Sequence, residues 1–411
     1  MERSYSQLLR RHHFRTVVGG EFVSLLGDGV YAVALAWLIL TVSSPRVLAV
    51  TLVCLGVPRG LLLLVGGAMT DRLSPRFIMF YSHVFRFVLV AALAMVVATE
   101  HVHPWEFYAI SASFGVADAF FWPASKAILP SLVSTQELAA ANALNAVAEQ
   151  TPTLLGPLLG GALVALFGVS VALLCDAGTF AVAALTVLAA PKVAAPEVKK
   201  TAGVRATWRE IQEGLRYARS RSSVRTVLVV IAASALAYSG LFGVGLPRLA
   251  QTFPEKSFGL GLMYSCWGLG QLAGASSAAR TGLPVSWGRL IIAVTFAEGT
   301  TFALLGFVAN LAVVAVALTA LGFAVAYTSD VALPTWLHAT TPPTMLGRVS
   351  SLLDVPRVTL EPISMILMAT LAVINVRLPF FAAAFILLAA GCFSLANKST
   401  RSLQLGTGPN D

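Results

Sequence analysis

Twelve apolar runs, each long enough to cross a bilayer, constrain this chain more than any other feature. A helix rises about 1.5 Å per residue, so roughly 20 apolar residues span the hydrocarbon core of a membrane. The runs lie at 16–43, 47–70, 77–99, 104–127, 137–167, 169–190, 225–250, 257–279, 287–309, 311–337, 346–373 and 378–397. Only 11% of the residues are charged, whereas soluble domains contain about a quarter. The sequence therefore predicts an all-α integral membrane protein with twelve transmembrane helices and not a soluble enzyme.

The runs divide into two sets of six around one long polar segment. We predict an N-terminal six-helix bundle at 1–190, a cytoplasmic amphipathic linker at 191–224, a C-terminal six-helix bundle at 225–397 and a cytoplasmic tail at 398–411. The halves resemble each other: 115–130 and 322–343 share glycine, aromatic and proline residues, and Gly156-Pro157 corresponds to Glu361-Pro362. The offset of about two hundred residues is the half-length expected of parallel repeats, which place a substrate cavity at the interface of the halves.

Lysine and arginine are distributed asymmetrically along the chain. If the runs alternate in direction, most of these residues fall on one side: before run 1, after runs 2 and 4, throughout 191–225 and after run 12. The positive-inside rule then places both termini and the middle segment in the cytoplasm. The net charge of +9 is explained by this topology and by anionic lipid, so we do not expect a nucleic-acid partner.

The loop between runs 2 and 3 contains Gly67, Asp71, Arg72 and Arg76 in the spacing G-x-x-x-D-R-x-x-x-R. With this motif the chain resembles the major facilitator superfamily, and nearly the whole chain shares the resemblance. A glycine allows close helix approach, and the arginines favour the cytoplasmic surface. The resemblance implies the two-bundle major facilitator fold and a role for Asp71 and Arg72 in locking a cytoplasmic gate. The alternative is a short polar turn.

Run 5 contains Gly156, Pro157, Gly160 and Gly161, which look like the G-P-x-x-G-G element of proton antiporters in the same superfamily. The resemblance implies an exporter, and the alternative is close packing of a glycine-rich helix. Stretches at 121–124, 141–145 and 347–349 are similar to the bacterial branch that contains macrolide-efflux and enterobactin exporters. His83 departs from that pattern, because an acidic residue often stands there, and it questions the charge pairing around Arg86.

Ionisable residues inside the apolar runs are candidates for proton coupling, because each costs about 2.5–3.5 kcal/mol near a helix centre. Glu21 and Asp28 are seven residues apart in run 1, and Asp354, Arg357 and Glu361 share one face of run 11. Arg357 neutralises one of its two acidic neighbours, which leaves the other protonatable. The alternative is a buried charge network that only sets helix register. Asp28 ranks first, and Glu149 and Glu298 are the next candidates.

A cavity for a hydrophobic substrate is predicted from the aromatic residues of the runs. Its candidates are Asp118, Phe121, Trp122, Tyr238, Phe242, Tyr264, Trp267, Tyr327 and Asp330. The chain has no phosphate-binding loop, nucleophile constellation or redox motif, and His101 and His103 lack a third metal ligand. We therefore predict no cofactor and no metal site, and we expect a proton gradient to supply the energy.

The leading hypothesis is a monomeric transporter of the bacterial inner membrane that exports an amphipathic or lipophilic small molecule in exchange for protons by alternating access. The substrate would be a drug, a macrolide-like compound or a siderophore. Its partners would be that substrate, protons and membrane lipid. A lipid, lysolipid or nutrient carrier on the same scaffold is the alternative within transport. A transport-inactive membrane sensor is the alternative from another class.

Overall fold

The structure is a computed structural model, and it describes residues 8, 10–99, 101–190, 216, 222–281, 286–341, 343–397 and 401. Within these residues the chain forms twelve helical spans, as predicted. Most of the predicted linker at 191–224 and all but one residue of the predicted tail at 398–411 lie outside the described residues. The side chains of Asp330 and Asp354 also lie outside them.

The first six helices follow one another with short connections. They are α1 (His12–Val42), α2 (Pro45–Thr70), α3 (Pro75–Ala98), α4 (Pro104–Leu132), α5 (Leu138–Phe167) and α6 (Val169–Leu188). A 3₁₀ turn at Thr135–Glu137 precedes α5. Proline opens α2, α3 and α4, where its fixed φ suits a first helical position. Gly168, with φ of 86°, is the single residue between α5 and α6, so only glycine fits there without strain.

The second six helices include two that change their winding. α7 runs through Ser222–Gly240, a π-helical segment at Leu241–Gly245 and Leu246–Ala250. α8 is Lys256–Thr281 and α9 is Trp287–Leu305. α10 consists of Leu311–Val325, a π-helical segment at Ala326–Ala332 and Leu333–Thr340. The last two helices are α11 (Pro343–Ile374) and α12 (Leu378–Ala396).

The two π-helical segments each lead into a proline. Pro247 and Pro334 have no backbone N–H to bond the carbonyl four residues earlier. Those carbonyls belong to Gly243 and Asp330, inside the π-helical segments. The π-helical winding therefore occurs where the proline already interrupts the backbone hydrogen bonds of the helix. π-Helical segments are frequent near functional sites.

The helices present apolar faces outward. Ten of them, judged over the described residues, are long and apolar enough to cross a membrane. Large apolar side chains such as Leu61, Leu64 and Phe385 are 74%, 80% and 74% exposed. Such surfaces are unfavourable in water and are the ordinary lipid-facing surface of a transmembrane helix.

The described residues fall into two compact units. The first lies within Met1–Thr201 and Pro254–Ser265, and the second within Ala202–Phe253 and Cys266–Asp411. The first unit therefore holds α1–α6 and the start of α8, and the second holds α7, the rest of α8 and α9–α12. The start of α8, which the prediction assigned to the C-terminal bundle, falls in the first unit.

Glycines at corresponding positions of the two halves allow two helices to cross closely inside each unit. In the first, a Cβ placed on Gly66 would lie 2.0 Å from the Ala119 carbonyl oxygen, and one on Gly115 would lie 2.1 Å from the Leu55 carbonyl oxygen. In the second, a Cβ on Gly274 would lie 2.3 Å from the Phe323 carbonyl oxygen. Gly322 likewise abuts Trp267 on α8. The positions recur about two hundred residues apart, as parallel repeats require.

Candidate functional site

A buried network of charged side chains lies in the first unit. Arg86 on α3 donates to the Asp118 carboxylate on α4. The Arg59 Nη1 atom on α2 lies 3.8 Å from the other Asp118 oxygen. On α1, the Glu21 Oε1 atom lies 3.4 Å from the Nε2 atom of His83. Helices α1–α4 thus each contribute to one polar cluster.

Aromatic rings enclose Arg86, whose side chain is 1% exposed. Its Cζ atom lies 4.2 Å from the ring centre of Phe121, 5.1 Å from that of Phe114 and 5.6 Å from that of Phe180. Cation–π attraction and the Asp118 ion pair together compensate for its desolvation. The sequence had questioned charge pairing around Arg86 because His83 replaces an acid. In the structure Arg86 is paired, because its acidic partner is Asp118 on α4.

Asp28 lies within electrostatic reach of Arg86, Asp118 and Glu21. Among the described residues it forms no ion pair. The glycines that flank Asp28 pack against neighbouring helices. The space that a Cβ would need at Gly27 is filled by side chains of α6, and at Gly29 by the backbone of Gly156 on α5.

A small pocket lies beside the Glu21 end of the network. Its volume is about 20 Å³, enough for one water molecule. Four predicted site residues, Glu21, Phe121, Trp122 and Glu149, line it together with Leu25, Ser125, Asn145 and Ala148. Glu149 accepts hydrogen bonds from the Lys126 ammonium at 2.5 Å and the Asn145 amide at 2.8 Å. Two predicted coupling acids from different helices therefore share one pocket.

The loop motif after α2 is positioned differently from the prediction. Nothing lies within 4 Å of a Cβ placed on Gly67, so the close helix approach belongs to its neighbour Gly66. The reason is helical rotation, because only Gly66 faces α4. Asp71 and Arg72 are exposed at the end of α2. Arg76 donates to the Leu188 carbonyl at the end of α6.

The glycine-rich element of α5 is a packing surface on two sides. A Cβ on Gly156 would lie 2.8 Å from the Leu26 carbonyl oxygen on α1, and one on Gly160 would lie 2.8 Å from the Cα of Val30. Gly161 instead abuts the start of α8, and the Pro157 carbonyl occupies the space beside Gly261. The close-packing interpretation accounts for these contacts.

The second unit contains a larger cavity of about 380 Å³. Glu298 on α9 and both Arg357 and Glu361 on α11 line it, so three predicted coupling residues meet there. Arg357 and Glu361 lie one helical turn apart, and the Arg357 side chain is exposed. That Arg357 neutralises one of its two acidic neighbours stays a prediction, because the side chain of Asp354, the other neighbour, lies outside the described residues.

The predicted cavity aromatics separate into several groups. Tyr238 lines the larger cavity, and its ring packs on Phe242 and Trp267 at centroid distances of 5.6 Å. Tyr327 stacks on Phe323 at 6.3 Å. Tyr264 belongs to the part of α8 in the first unit. Asp118 is likewise committed to its ion pairs and is not among the lining residues of either cavity.

Sequence reasoning missed several polar residues of the second unit. Trp287 and Thr295 line the larger cavity. Ser364 on α11 donates to the Leu236 carbonyl at 2.7 Å and accepts from the Gly240 N–H at 2.8 Å. These two backbone groups would bond each other in a regular helix, so Ser364 inserts into the ladder of α7 just before its π-helical segment. Serine and threonine are common in membrane helices, and no sequence signal distinguished these.

No group of three or more histidine, cysteine or acidic side chains in the described part of the chain is arranged to hold a metal ion.

Known proteins resemble the chain along most of its length. The sequence profile of a family described as "Transmembrane secretion effector" matches residues 4–396. An "Uncharacterized MFS-type transporter YfiS" from Bacillus subtilis (strain 168) is 24% identical over 221 residues, 52% of this chain and 51% of that protein. The chain thus matches about half the length of this relative.

Solved structures share the fold at low sequence identity. A mutant of the nucleoside transporter NupG has a TM-score of 0.75 and 11% identity, over 93% of this chain and 99% of that one. A bacterial homolog of the human lysosomal transporter Spinster, in an inward-facing and unoccupied conformation, has a TM-score of 0.67 and 12% identity, over 98% of both chains. At these identities the likeness establishes the major facilitator fold alone.

Proposed function

Since the chain belongs to the transmembrane secretion effector family of major facilitator transporters, we propose that it is a proton-coupled exporter of an amphipathic or lipophilic small molecule. It would work by alternating access as a monomer in a bacterial inner membrane, with both termini in the cytoplasm. The gradient of protons would be its energy source, with no cofactor. Resemblance to the macrolide-efflux and enterobactin-exporter branch favours a drug, a macrolide-like compound or a siderophore as substrate.

One observation carries the proton coupling: the buried network of the first unit contains more acids than arginines. Among the described side chains, Glu21, Asp28 and Asp118 lie near two arginines, Arg59 and Arg86, and Asp118 contacts both of them. Glu21 contacts His83. An ionised carboxylate without a counter-charge is costly inside a membrane protein, so a surplus acid favours its neutral form. A site that holds a proton in one state and releases it when solvation changes is what an antiporter requires.

Glu21 and Asp28 are the acids with the freedom to exchange protons. Asp118 is held by two arginines, whereas Glu21 contacts a histidine and Asp28 has no ion pair among the described side chains. Glu21 also borders the small pocket, where one water would connect it toward Glu149. Protonation at α1 would then change the balance of charge around Arg86, and with it the relative stability of the transport states.

Proteoliposome transport tests the proposal. Dyes, macrolides, siderophores and lysolipids would be assayed with and without an imposed pH gradient. We expect uphill movement of an amphipathic substrate that depends on the gradient. Replacing Asp28 with Asn, or Glu361 with Gln, should abolish uphill movement and leave downhill exchange. Glu255→Gln, an exposed acid at the start of α8, is the matched control and should transport normally.

Two outcomes would contradict the proposal in different ways. If the wild type concentrates none of these substrates under any pH gradient, the chain is not a proton-coupled exporter of this class. If both variants still concentrate substrate at wild-type rates, coupling does not reside at Asp28 or Glu361, and Glu149 and Glu298 become the residues to replace. Movement of lysolipid alone, independent of pH, would favour the carrier alternative.

A further inference from the structure

The larger cavity of the second unit has the composition of a binding site. Its volume of about 380 Å³ falls in the range of small-molecule sites, about 300–1,000 Å³. Apolar side chains form much of the wall, among them Val227, Ile231, Val294 and Leu333. Polar groups converge on the same space, among them the charged residues Glu298, Arg357 and Glu361, and convergent polar groups fix a ligand's orientation.

Glu298 is the unusual member of this wall. The residue is 5% exposed, yet within the described part of the chain it forms no ion pair. The Tyr238 hydroxyl is its polar neighbour, but a hydroxyl supplies no positive charge. A buried acid that has no counter-charge is available to a cation from outside the protein.

The Tyr238 ring lies next to this carboxyl, and both residues line the cavity. Trp287 lines the same cavity about 16 Å farther along α9, because eleven residues separate it from Glu298. It is fully buried and stacks on Trp336 at 4.9 Å. Aromatic faces attract ammonium groups, most of all when water is excluded. The buried Trp287 indole N–H also has no partner, so the site offers a donor to an oxygen of the same ligand.

We infer that this cavity binds the protonated or quaternary amine of a cationic amphiphile, with Glu298 as its counter-charge. The amine lies at Glu298 beside the ring of Tyr238, and the apolar part of the ligand lies against the aliphatic wall toward Trp287. The inference rests on the proposed function in taking the bound amphiphile as a transported substrate. It narrows that substrate from amphipathic molecules in general to those that carry a positive charge.

Equilibrium binding to the full chain purified in detergent tests the inference. The probes are benzyltrimethylammonium and neopentylbenzene, its uncharged carbon isostere, with partition into empty micelles measured separately. We expect the wild type to bind the cation about ten-fold or more tightly than the isostere. Glu298→Gln should remove that preference, and the exposed control Glu255→Gln should keep it. Equal binding of the two probes by the wild type, or a preference that survives in Glu298→Gln, would overturn the inference.

A second measurement uses the wild-type chain and so does not depend on the folding of a variant. Dicyclohexylcarbodiimide adds to protonated carboxyls in apolar surroundings, and mass spectrometry locates the adduct. Benzyltrimethylammonium should protect Glu298 from this reaction, whereas neopentylbenzene at the same free concentration should not. Unchanged labelling of Glu298 in the presence of the cation would refute its place at this carboxyl. Lysophosphatidylcholine as a third ligand distinguishes the source of the amine: tighter binding than benzyltrimethylammonium indicates a lipid headgroup, weaker binding a free cation.

Binding in detergent needs no gradient, so this test is separate from that of the proposed function. Cation binding that depends on Glu298, together with an absence of pH-driven transport, would retain the cavity site and reject the exporter. If charged and uncharged amphiphiles are transported at equal rates, the exporter proposal stands and the cation site is rejected.

Discussion

The two units bury their ionisable side chains in different surroundings. In the first, Arg86 and Asp118 form an ion pair among aromatic rings, and the adjoining pocket has room for about one water molecule. In the second, Glu298 borders a cavity of about 380 Å³ and has no ion pair among the described residues. The first arrangement suits proton exchange within a packed network, and the second suits a ligand that brings its own charge.

The equivalent helix crossings of the two units differ in the same way. Where α1 crosses α5, Gly29 and Gly156 bring the backbones together with no polar group between them. Where α7 crosses α11, the Ser364 hydroxyl binds backbone groups of Leu236 and Gly240. The two halves therefore share the helix crossing but differ in the groups that form the contact. At this crossing the first unit relies on close packing of glycines, whereas the second unit adds a hydrogen-bonded serine side chain.

The largest effect that distinguishes the units should come from their arginines. Arg86→Gln leaves Asp118 without its buried counter-charge, and removing one partner of a buried pair costs about 3–5 kcal/mol. We expect a large loss of monodisperse protein after heating in detergent. Arg357→Gln is the matched control, because that arginine is exposed and forms no ion pair within the described side chains. Equal loss in both variants would show that the Arg86 pair is not specially stabilising.

A smaller effect should separate two neighbouring glycines of the first unit. Gly66→Ala forces a methyl group against the Ala119 carbonyl, and overpacking of this kind costs about 1–3 kcal/mol. Gly67→Ala meets open space and should be neutral or slightly stabilising, because alanine is the better helix former by about 1 kcal/mol. Thermal unfolding of the two variants measures the difference. If Gly67→Ala lowers the unfolding temperature more than Gly66→Ala does, then Gly67 and not Gly66 contacts α4.

The smallest effect concerns the serine of the second unit. Ser364→Ala removes two hydrogen bonds to α7, and interhelical hydrogen bonds in membranes contribute about 0.6–1.7 kcal/mol. Ser394→Ala is the control, since Ser394 is equally buried and its hydroxyl has no partner in the described part of the chain. We expect a modest fall in thermal stability for Ser364→Ala and none for Ser394→Ala. Identical unfolding of the two variants would mean that packing alone holds the α7–α11 crossing.

The sequence predicted the fold well because its signals are local. A membrane span is defined by a continuous apolar length, so the twelve helices could be placed to within a few residues. Glycine and proline recurred at a constant offset in both halves, so the duplication was also visible. Candidate acids such as Glu298 were identified because charge within an apolar run is costly wherever the helix packs.

Which residues meet was decided by tertiary structure. Arg86 pairs with Asp118, which is thirty-two residues away in the chain. Gly66 faces α4 and Gly67 does not. Both outcomes depend on the rotation of each helix, which is set by packing against its neighbours and cannot be read from composition. The insertion of Ser364 into α7 was equally invisible, since a serine that bonds another helix looks like any other serine. The sequence alone determined how often the chain crosses the membrane and which charges it carries there. The tertiary structure decided which of those charges are paired and which of them border a cavity, because both depend on distances between helices that are far apart in the chain.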